Sequence, residues 1–193
     1  MSERIHYNNC PVCKSTSIAA ALQAKDNTVS QELFTIWQCC HCALRFTQDA
    51  PGSSEMGAYY NSSDYISHSN ISKGFINKLY HAVRSFTLRS KKNLVEKYAS
   101  VKGGSLLDVG AGTGAFAATM QKAKWNVIAL EPDATARTNA KNNFNIELQP
   151  SEQLFALKNE SFNAITLWHV LEHVHELHNY IDKFYSLLKK DGV

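Results

Sequence analysis

The sequence lacks any apolar run near the ~18 residues needed to span a bilayer, and its first residues do not form a signal peptide. A cytoplasmic protein without a membrane partner is therefore expected. Internal repeats and low-complexity segments are also missing. The net charge is only +3, which by itself does not indicate a nucleic-acid partner. What is present is 193 residues, 44% hydrophobic and 19% charged, enough for one ordinary globular domain and a small one.

The five cysteines fall into two clusters, with C-x-x-C pairs that begin at Cys10 and Cys39 and lie 25 residues apart. Each C-x-x-C turn directs two thiolates at one tetrahedral metal, so this spacing predicts a structural Zn²⁺ site. Disulfides are disfavoured without an export signal, and two redox pairs are hard to explain. Cys40 is left over, and His41 is the alternative fourth ligand. The predicted metal ligands are Cys10, Cys13, Cys39 and Cys42.

Residues 1–50 are accordingly predicted to form a zinc ribbon, in which the segment between the cysteine pairs folds back as a hairpin. Its strands are expected at Ile18 to Leu22 and Leu33 to Trp37, with a third at Leu44 to Thr47. Residues 51–72 are polar, rich in turn residues and tyrosine, and without clear periodicity. We interpret them as a connector, for which a lid over a ligand and simple packing between domains are both open.

The richest local pattern follows a short apolar run, Leu106 to Val109, and precedes an alanine-rich helical pattern. Between them stand three glycines in G-x-G-x-G spacing: Gly110, Gly112 and Gly114. A strand, a tight glycine turn and a helix N-terminus together present backbone N–H groups to a nucleotide-like ligand. A second apolar run then ends at Glu131, close to the ~20-residue offset at which a carboxylate meets ribose hydroxyls.

With Asp108 directly before the turn, this motif resembles the nucleotide-binding motif of class I S-adenosyl-L-methionine (SAM)-dependent methyltransferases, of the ubiquinone-biosynthesis-like group. The resemblance implies that SAM is the cofactor. It also implies that Asp108 and the three glycines line the methionine and ribose region, and that Glu131 holds the ribose hydroxyls. Two further residues would flank the adenine: Pro132 and Asp133.

Residues 73–193 would then form an α/β, Rossmann-like doubly wound sheet, beginning with a helix from Lys73 to about Ala99. A third strand is expected near Asn145 to Leu148 and a fourth at Phe162 to Trp168. The family's sheet has the strand order 3-2-1-4-5-7-6. Because the sequence stops at the first residue of a fifth strand, we expect a fragment with the order 3-2-1-4, in which activity could be lost.

Half of the eight histidines lie within ten residues after the predicted fourth strand. The carboxyl end of that strand borders the ligand crevice, so His169 or His173 could act as a general base. The segment also resembles the Leu-Glu-His stretch of small-molecule methyltransferases. His169 to His173 formally match the H-x-x-E-H metal motif, but that motif belongs within a helix. His175 and His178 are interpreted as surface residues of a helix.

Three functions remain open at this point. The first is methylation of a small molecule, such as a sugar or sugar nucleotide, because the cysteine module resembles one found in sugar C-methyltransferases. The second is methylation of RNA, with the ribbon as an RNA contact and basic residues on the first helix of the larger domain. The third is a partner-binding ribbon protein without activity. The basic residues of that helix are Arg84, Arg89, Lys91, Lys92 and Lys97.

Overall fold

The computed structural model describes residues 4–52, 55, 59 and 75–193, and the chain divides into two compact units. The first unit comprises residues 1–73 and the second residues 74–193. Most of the predicted connector, residues 51–72, and with it the predicted lid, lies outside the described residues.

The described strands of the first unit form two small antiparallel sheets. Strands β2, β3 and β4 form an antiparallel sheet in that order, and β1 pairs antiparallel with β5. The long β2–β3 hairpin has the predicted position, although both strands extend further than expected. The strands are β1 (Arg4–Ile5), β2 (Ile18–Lys25), β3 (Leu33–Cys39), β4 (Arg45–Thr47) and β5 (Ala50–Pro51).

A carboxylate organises the turn of the β2–β3 hairpin. Asp26 accepts hydrogen bonds from the backbone N–H groups of Thr28, Val29 and Ser30 at 2.8–3.2 Å. The Thr28 hydroxyl, together with the backbone N–H groups of Ser30 and Thr28 and the Ser30 hydroxyl, holds the pKa of Asp26 well below its usual range. The hairpin that joins the two cysteine pairs is thus closed by local side-chain chemistry.

The second unit alternates helices and parallel strands. Strand β6 lies at the centre of its sheet, with β7 on one side and β8 on the other, all parallel. A parallel sheet with intervening helices confirms the predicted α/β fold class. The elements are α1 (Phe75–Ala99), β6 (Ser105–Val109), α2 (Ala115–Lys122), β7 (Asn126–Leu130), α3 (Ala134–Phe144), β8 (Ala164–Leu167) and α4 (Leu177–Leu187).

Apolar side chains of β6 fill the core on both faces of the sheet. On one face, Leu106 packs with Phe116, Met120 and Trp125, against Val95 of α1. The other face joins β6 to α4 through a cluster of seven buried residues. Burial of a strand on both faces explains why three of the five residues of β6 are apolar, with polar side chains only at Ser105 and Asp108. The seven residues of the second face are Leu107, Val109, Leu130, Leu154, Phe162, Phe184 and Leu187.

The third predicted strand is reduced to a single bridge. Residues 145–148 are not strand, and Gln149 alone pairs in parallel with Leu130 of β7. Asn145 adopts a left-handed conformation (φ 53°) that ends α3, so the chain is still turning where the strand was expected to begin. The bridge keeps the predicted order, with the Gln149 segment outside β7.

Next to β8, Val193 exchanges two backbone hydrogen bonds with the strand edge. Its N–H donates to Asn163 O at 3.1 Å, and its carbonyl accepts from Ile165 N at 2.7 Å. Val193 thus pairs in parallel with the edge of β8. In the part of the chain that the structure describes, no helix has both the length and the apolar character to cross a membrane.

Candidate functional site

The three glycines form the turn between β6 and α2, and all three have positive φ angles, between 54° and 74°. At two of the three positions, close packing also leaves no room for a side chain. A Cβ on Gly110 would collide with the Val170 side chain, and one on Gly114 would lie 2.8 Å from Ala140 Cβ. A Cβ on Gly112 would have no heavy atom within 4 Å. The Gly112 backbone therefore faces open space, where a ligand can lie directly against it.

Glu131 stands at the carboxyl end of β7 and is tied to the glycine turn. Its Oε2 accepts from the Gly112 N–H at 2.6 Å, and its Oε1 accepts from the Asp133 N–H at 3.1 Å. The side chain is buried, so these two N–H donors replace water as its partners. Arg137 holds the same corner by donating to the carbonyls of Glu131 and Pro132. A carboxylate has about four lone-pair sites, so both oxygens can accept further hydrogen bonds.

Asp108 is the charged residue of the central strand and is 1% exposed. Its Oδ1 accepts from the Thr166 hydroxyl of β8 at 2.8 Å, whereas its Oδ2 is buried with no hydrogen-bond partner among the described residues. Burial raises the pKa of Asp108 to about 7, although Thr166 and the charge of Lys91 oppose the rise. A buried, unpaired carboxylate oxygen is costly unless a donor reaches it.

A lysine from α1 stands near this carboxylate. The Lys91 ammonium lies 4.3 Å from the centroid of the Trp168 ring, a cation–π distance. Desolvation lowers the pKa of Lys91, and the charge of Asp108 opposes that shift. Trp168 also packs edge-on against Phe116 of α2. The segment directly after β8 is therefore anchored to both helices that flank the glycine turn.

His169 and His173 lie in that segment, on either side of Val170, whose side chain contacts Gly110. His169 has a left-handed backbone (φ 60°), which is uncommon for a residue other than glycine. Its side chain is 89% exposed, and its Nδ1 lies 3.6 Å from Glu172 Oε1. His173 ends a short 3-10 helix, Leu171–His173, and is exposed. Neither histidine is therefore confined to the protein core.

The four cysteines predicted as metal ligands form one cluster in the first unit. Their sulfur atoms all lie within 4.8 Å of one another, with Cys10 to Cys42 at 3.6 Å and Cys13 to Cys39 at 3.5 Å. Tetrahedral Zn²⁺ with Zn–S bonds of about 2.3 Å requires sulfur atoms about 3.8 Å apart. The cluster can therefore hold one Zn²⁺ ion, as the sequence predicts. Cys40, the fifth cysteine, is exposed and outside the cluster.

Backbone donors favour the thiolate form of Cys39, whereas burial and the three other thiols of the cluster raise the pKa of Cys13 to about 12. The N–H groups of Cys42 and His41 lower the pKa of the Cys39 thiol to about 6. Zinc binds the thiolate and not the thiol, so these N–H donors stabilise the form of Cys39 that binds the metal. His41 thus contributes through its backbone N–H, 3.4 Å from Cys39 Sγ.

Several contacts at the site were not found from the sequence. Thr166 stands beside Asp108 in the parallel register of β6 and β8, and the only sequence signal is a hydroxyl within an apolar strand. Arg84 donates to the Thr113 hydroxyl of the glycine turn at 3.1 Å, and its guanidinium lies 5.9 Å from the Phe144 ring centroid. These contacts join residues that are far apart in the sequence, so no local sequence pattern predicts them.

Comparison with protein families matches residues 80–193 to the methyltransferase domain. The match covers more than half of the chain, and the chain belongs to this family. The resemblance drawn from the glycine turn and its flanking acids is thereby confirmed. A search of curated proteins finds no sequence that matches the chain.

Solved structures similar to the chain include methyltransferases from archaea and bacteria. A SAM-dependent methyltransferase from Archaeoglobus fulgidus is 18% identical, with TM-score 0.46 and coverage of 55% of this chain and 48% of that one. DesVI from Streptomyces venezuelae is 20% identical, with TM-score 0.49 and coverage of 64% and 56%. A Pyrococcus horikoshii protein is 19% identical, with TM-score 0.49 and coverage of 57% and 55%. The chain thus spans about half the length of these structures.

Proposed function

We propose that this protein is an enzyme that transfers a methyl group from SAM to a small molecule. The observation that carries the proposal is the pair of carboxylates at the ends of adjacent parallel strands, Asp108 and Glu131, on either side of the open Gly112 backbone. Ligands of open α/β sheets bind at this edge. Membership of the methyltransferase domain family supports the reaction class. SAM supplies an electrophilic methyl group on a sulfonium.

The residues present suit the parts of SAM. The orphan Oδ2 of Asp108 can accept from an ammonium group, such as that of the methionine portion. The remaining lone pairs of Glu131 can accept from the two ribose hydroxyls, while Gly112 leaves room for the ligand against the backbone. Pro132 and Asp133 follow Glu131 directly, and both are exposed at the same corner, where the adenine would lie.

His169 and His173 are proposed as the residues that face the acceptor. Methyl transfer is a displacement in which alignment of donor and acceptor supplies much of the rate. A general base is needed only when the acceptor atom must lose a proton, and an exposed imidazole near neutral pH suits that task. The contact between Val170 and Gly110 supports this assignment, because it keeps the histidine segment against the glycine turn.

A small-molecule acceptor is favoured over RNA by the contacts of the basic residues on α1. Lys92 pairs with Glu96 at 2.7 Å, Arg84 with Thr113, and Lys91 with the Trp168 ring. These three side chains are engaged in contacts within the second unit, so they are less available to bind the phosphates of RNA. We propose a sugar or sugar nucleotide as the acceptor, because the cysteine module resembles one found in sugar C-methyltransferases. In the first unit, Zn²⁺ is proposed as a structural ion held by the four clustered cysteines.

The experiment that tests the proposal is calorimetric titration with S-adenosylhomocysteine. The unmodified protein should bind with one site, and Glu131→Gln should bind at least tenfold more weakly because it loses charge-assisted hydrogen bonds of about 1.5–3 kcal/mol each. Glu147→Gln is the matched control, since that carboxylate is 85% exposed and forms a long ion pair with Lys141 at 3.9 Å. Equal affinity of all three proteins, or no binding by any, would contradict the assignment.

The histidine roles require a turnover assay with candidate acceptors. His169→Asn and His173→Asn should lower the methylation rate of an acceptor that must lose a proton, with little change in S-adenosylhomocysteine affinity. A full rate in both variants would remove these histidines from the chemistry.

A further inference from the structure

A basic groove lies at the amino ends of the parallel strands, at the opposite edge of the sheet from the glycine turn and Glu131. Its cavity is about 490 Å³ and is bounded by the starts of β6 and β7 and by the residue that precedes β8. The polar side chains that line it are Lys102, Lys124, Lys189, Ser105, Asn126 and Asn163.

The groove carries charge of one sign. Its three lysines come from three separate segments, the α1–β6 turn, the α2–β7 turn and the turn after α4, and all three are exposed. None of the described residues that line the groove is acidic. Lysines brought together from distant segments without a neutralising carboxylate repel one another, and an anion between them removes that repulsion.

Part of this surface is already fixed in place. Asn163 Oδ1 accepts from Lys189 Nζ and from the Ser105 N–H, both at 3.0 Å. The Asn126 N–H donates to the Gly104 carbonyl at 2.8 Å and thereby joins two walls of the groove. The ammonium of Lys189 keeps two further donors. A lysine that is held before a ligand arrives loses less side-chain entropy on binding.

We propose that this groove binds a phosphate group, as a second site separate from that for the methyl donor. Lysine ammonium groups bind phosphate oxygens as point charges, and the Asn126 and Asn163 amides can add neutral donors. The phosphate could belong to a small phosphorylated metabolite or to the backbone of RNA. Both present the same oxyanion to the same lysines, and a direct comparison of probes distinguishes them.

The test uses the full chain with two probes, inorganic pyrophosphate and a short fluorescent oligouridylate, in low-salt buffer. The groove variant is Lys102→Gln, Lys124→Gln and Lys189→Gln combined. The matched control, Lys122→Gln, Lys158→Gln and Lys190→Gln combined, removes the same charge from exposed lysines outside the groove. A third protein with arginine at the three groove positions retains the charge and should retain binding. Thermal melting of all four proteins reports whether each is folded.

We expect the groove variant to bind at least about tenfold more weakly than the control variant, because three exposed charge contacts are lost together. Binding of pyrophosphate assigns the groove to a small phosphorylated ligand, and binding of the oligouridylate alone assigns it to RNA. In the RNA case, the slope of log K against log salt should fall by about 2 in the groove variant. Equal weakening by the control variant, or no binding of either probe to the unmodified protein, would overturn the proposal.

Discussion

Replacement of Asp108 by asparagine tests the cofactor site most directly, because it changes one charge in the middle of the sheet. The side chain is 1% exposed, and burial raises its pKa to about 7. Without ligand, the carboxyl group is therefore largely protonated at pH 5 and largely ionised at pH 8. An ammonium group bound at Oδ2 favours the ionised form, so binding of S-adenosylhomocysteine should release this proton.

The size of the effect follows from the two pKa values. A cation beside a carboxylate lowers its pKa by about 1–3 units, which puts the bound value near 5. Proton linkage between about 7 and about 5 makes the dissociation constant about 50-fold larger at pH 5 than at pH 8. Asp108→Asn removes the titrating group and the charge-assisted bond. At pH 8 it should weaken binding by about 10–100-fold, for a loss of about 1.5–3 kcal/mol.

The assay is titration calorimetry of both proteins from pH 5 to pH 8. All other ionisable groups are common to both proteins, so the difference between the two curves reports Asp108. A curve for the unmodified protein that parallels that of Asp108→Asn would refute the reasoning.

The free energy of unfolding, measured without ligand, provides a second test with the same two proteins. Because folding raises the pKa of Asp108, its folded state binds the extra proton between about pH 4 and pH 7. The stability of the unmodified protein relative to Asp108→Asn should therefore fall as pH rises through that range, by up to about 4 kcal/mol.

Two further predictions concern the metal cluster and the glycine turn. Cys39→Ser should abolish binding of one Zn²⁺ per chain and unfold the first unit, whereas Cys40→Ser should retain one Zn²⁺, as measured by metal analysis and circular dichroism. Retention of Zn²⁺ by Cys39→Ser would exclude that ligand. Gly114→Ala combines a left-handed backbone with crowding against Ala140 and Ile146, and should cost about 2–4 kcal/mol in chemical denaturation. Gly112→Ala has the same strain in open space and should cost about 1–2 kcal/mol, so equal losses would argue against the packing explanation.

The glycine turn and the cysteine pairs could be predicted because their chemistry is encoded at short range. Glycines at 110, 112 and 114 satisfy a local backbone requirement, and C-x-x-C places two thiolates on one turn. The sequence also predicted the central strand, since β6 is an apolar run bounded by turn residues. In each of these cases, the residues that determine the structure are neighbours in the chain.

The remaining contacts of the site join segments that are distant in the sequence, and the spacing of residues does not predict them. Thr166 meets Asp108 only because β6 and β8 are parallel neighbours in one register. Lys91 reaches the Trp168 ring from a helix that precedes the first parallel strand. The prediction of a third strand at residues 145–148 was wrong for a different reason. The chain leaves α3 through the left-handed Asn145, and only Gln149 then pairs with β7. The apolar residues at 146 and 148 are not within a strand and are buried against α2, α3 and strand β7.

The position of α1 limits how the protein can be dissected. Val95 and Ala99 belong to the same core cluster as Leu106 and Met120, and Leu88 packs against it. A boundary placed at the glycine pair before β6 would separate the sheet from the helix that covers it. The apolar side chains on that face would then meet water, at about 25 cal/mol for each Å² exposed. A recombinant fragment meant to retain the methyltransferase domain must therefore start before α1, although the glycine motif lies well after it.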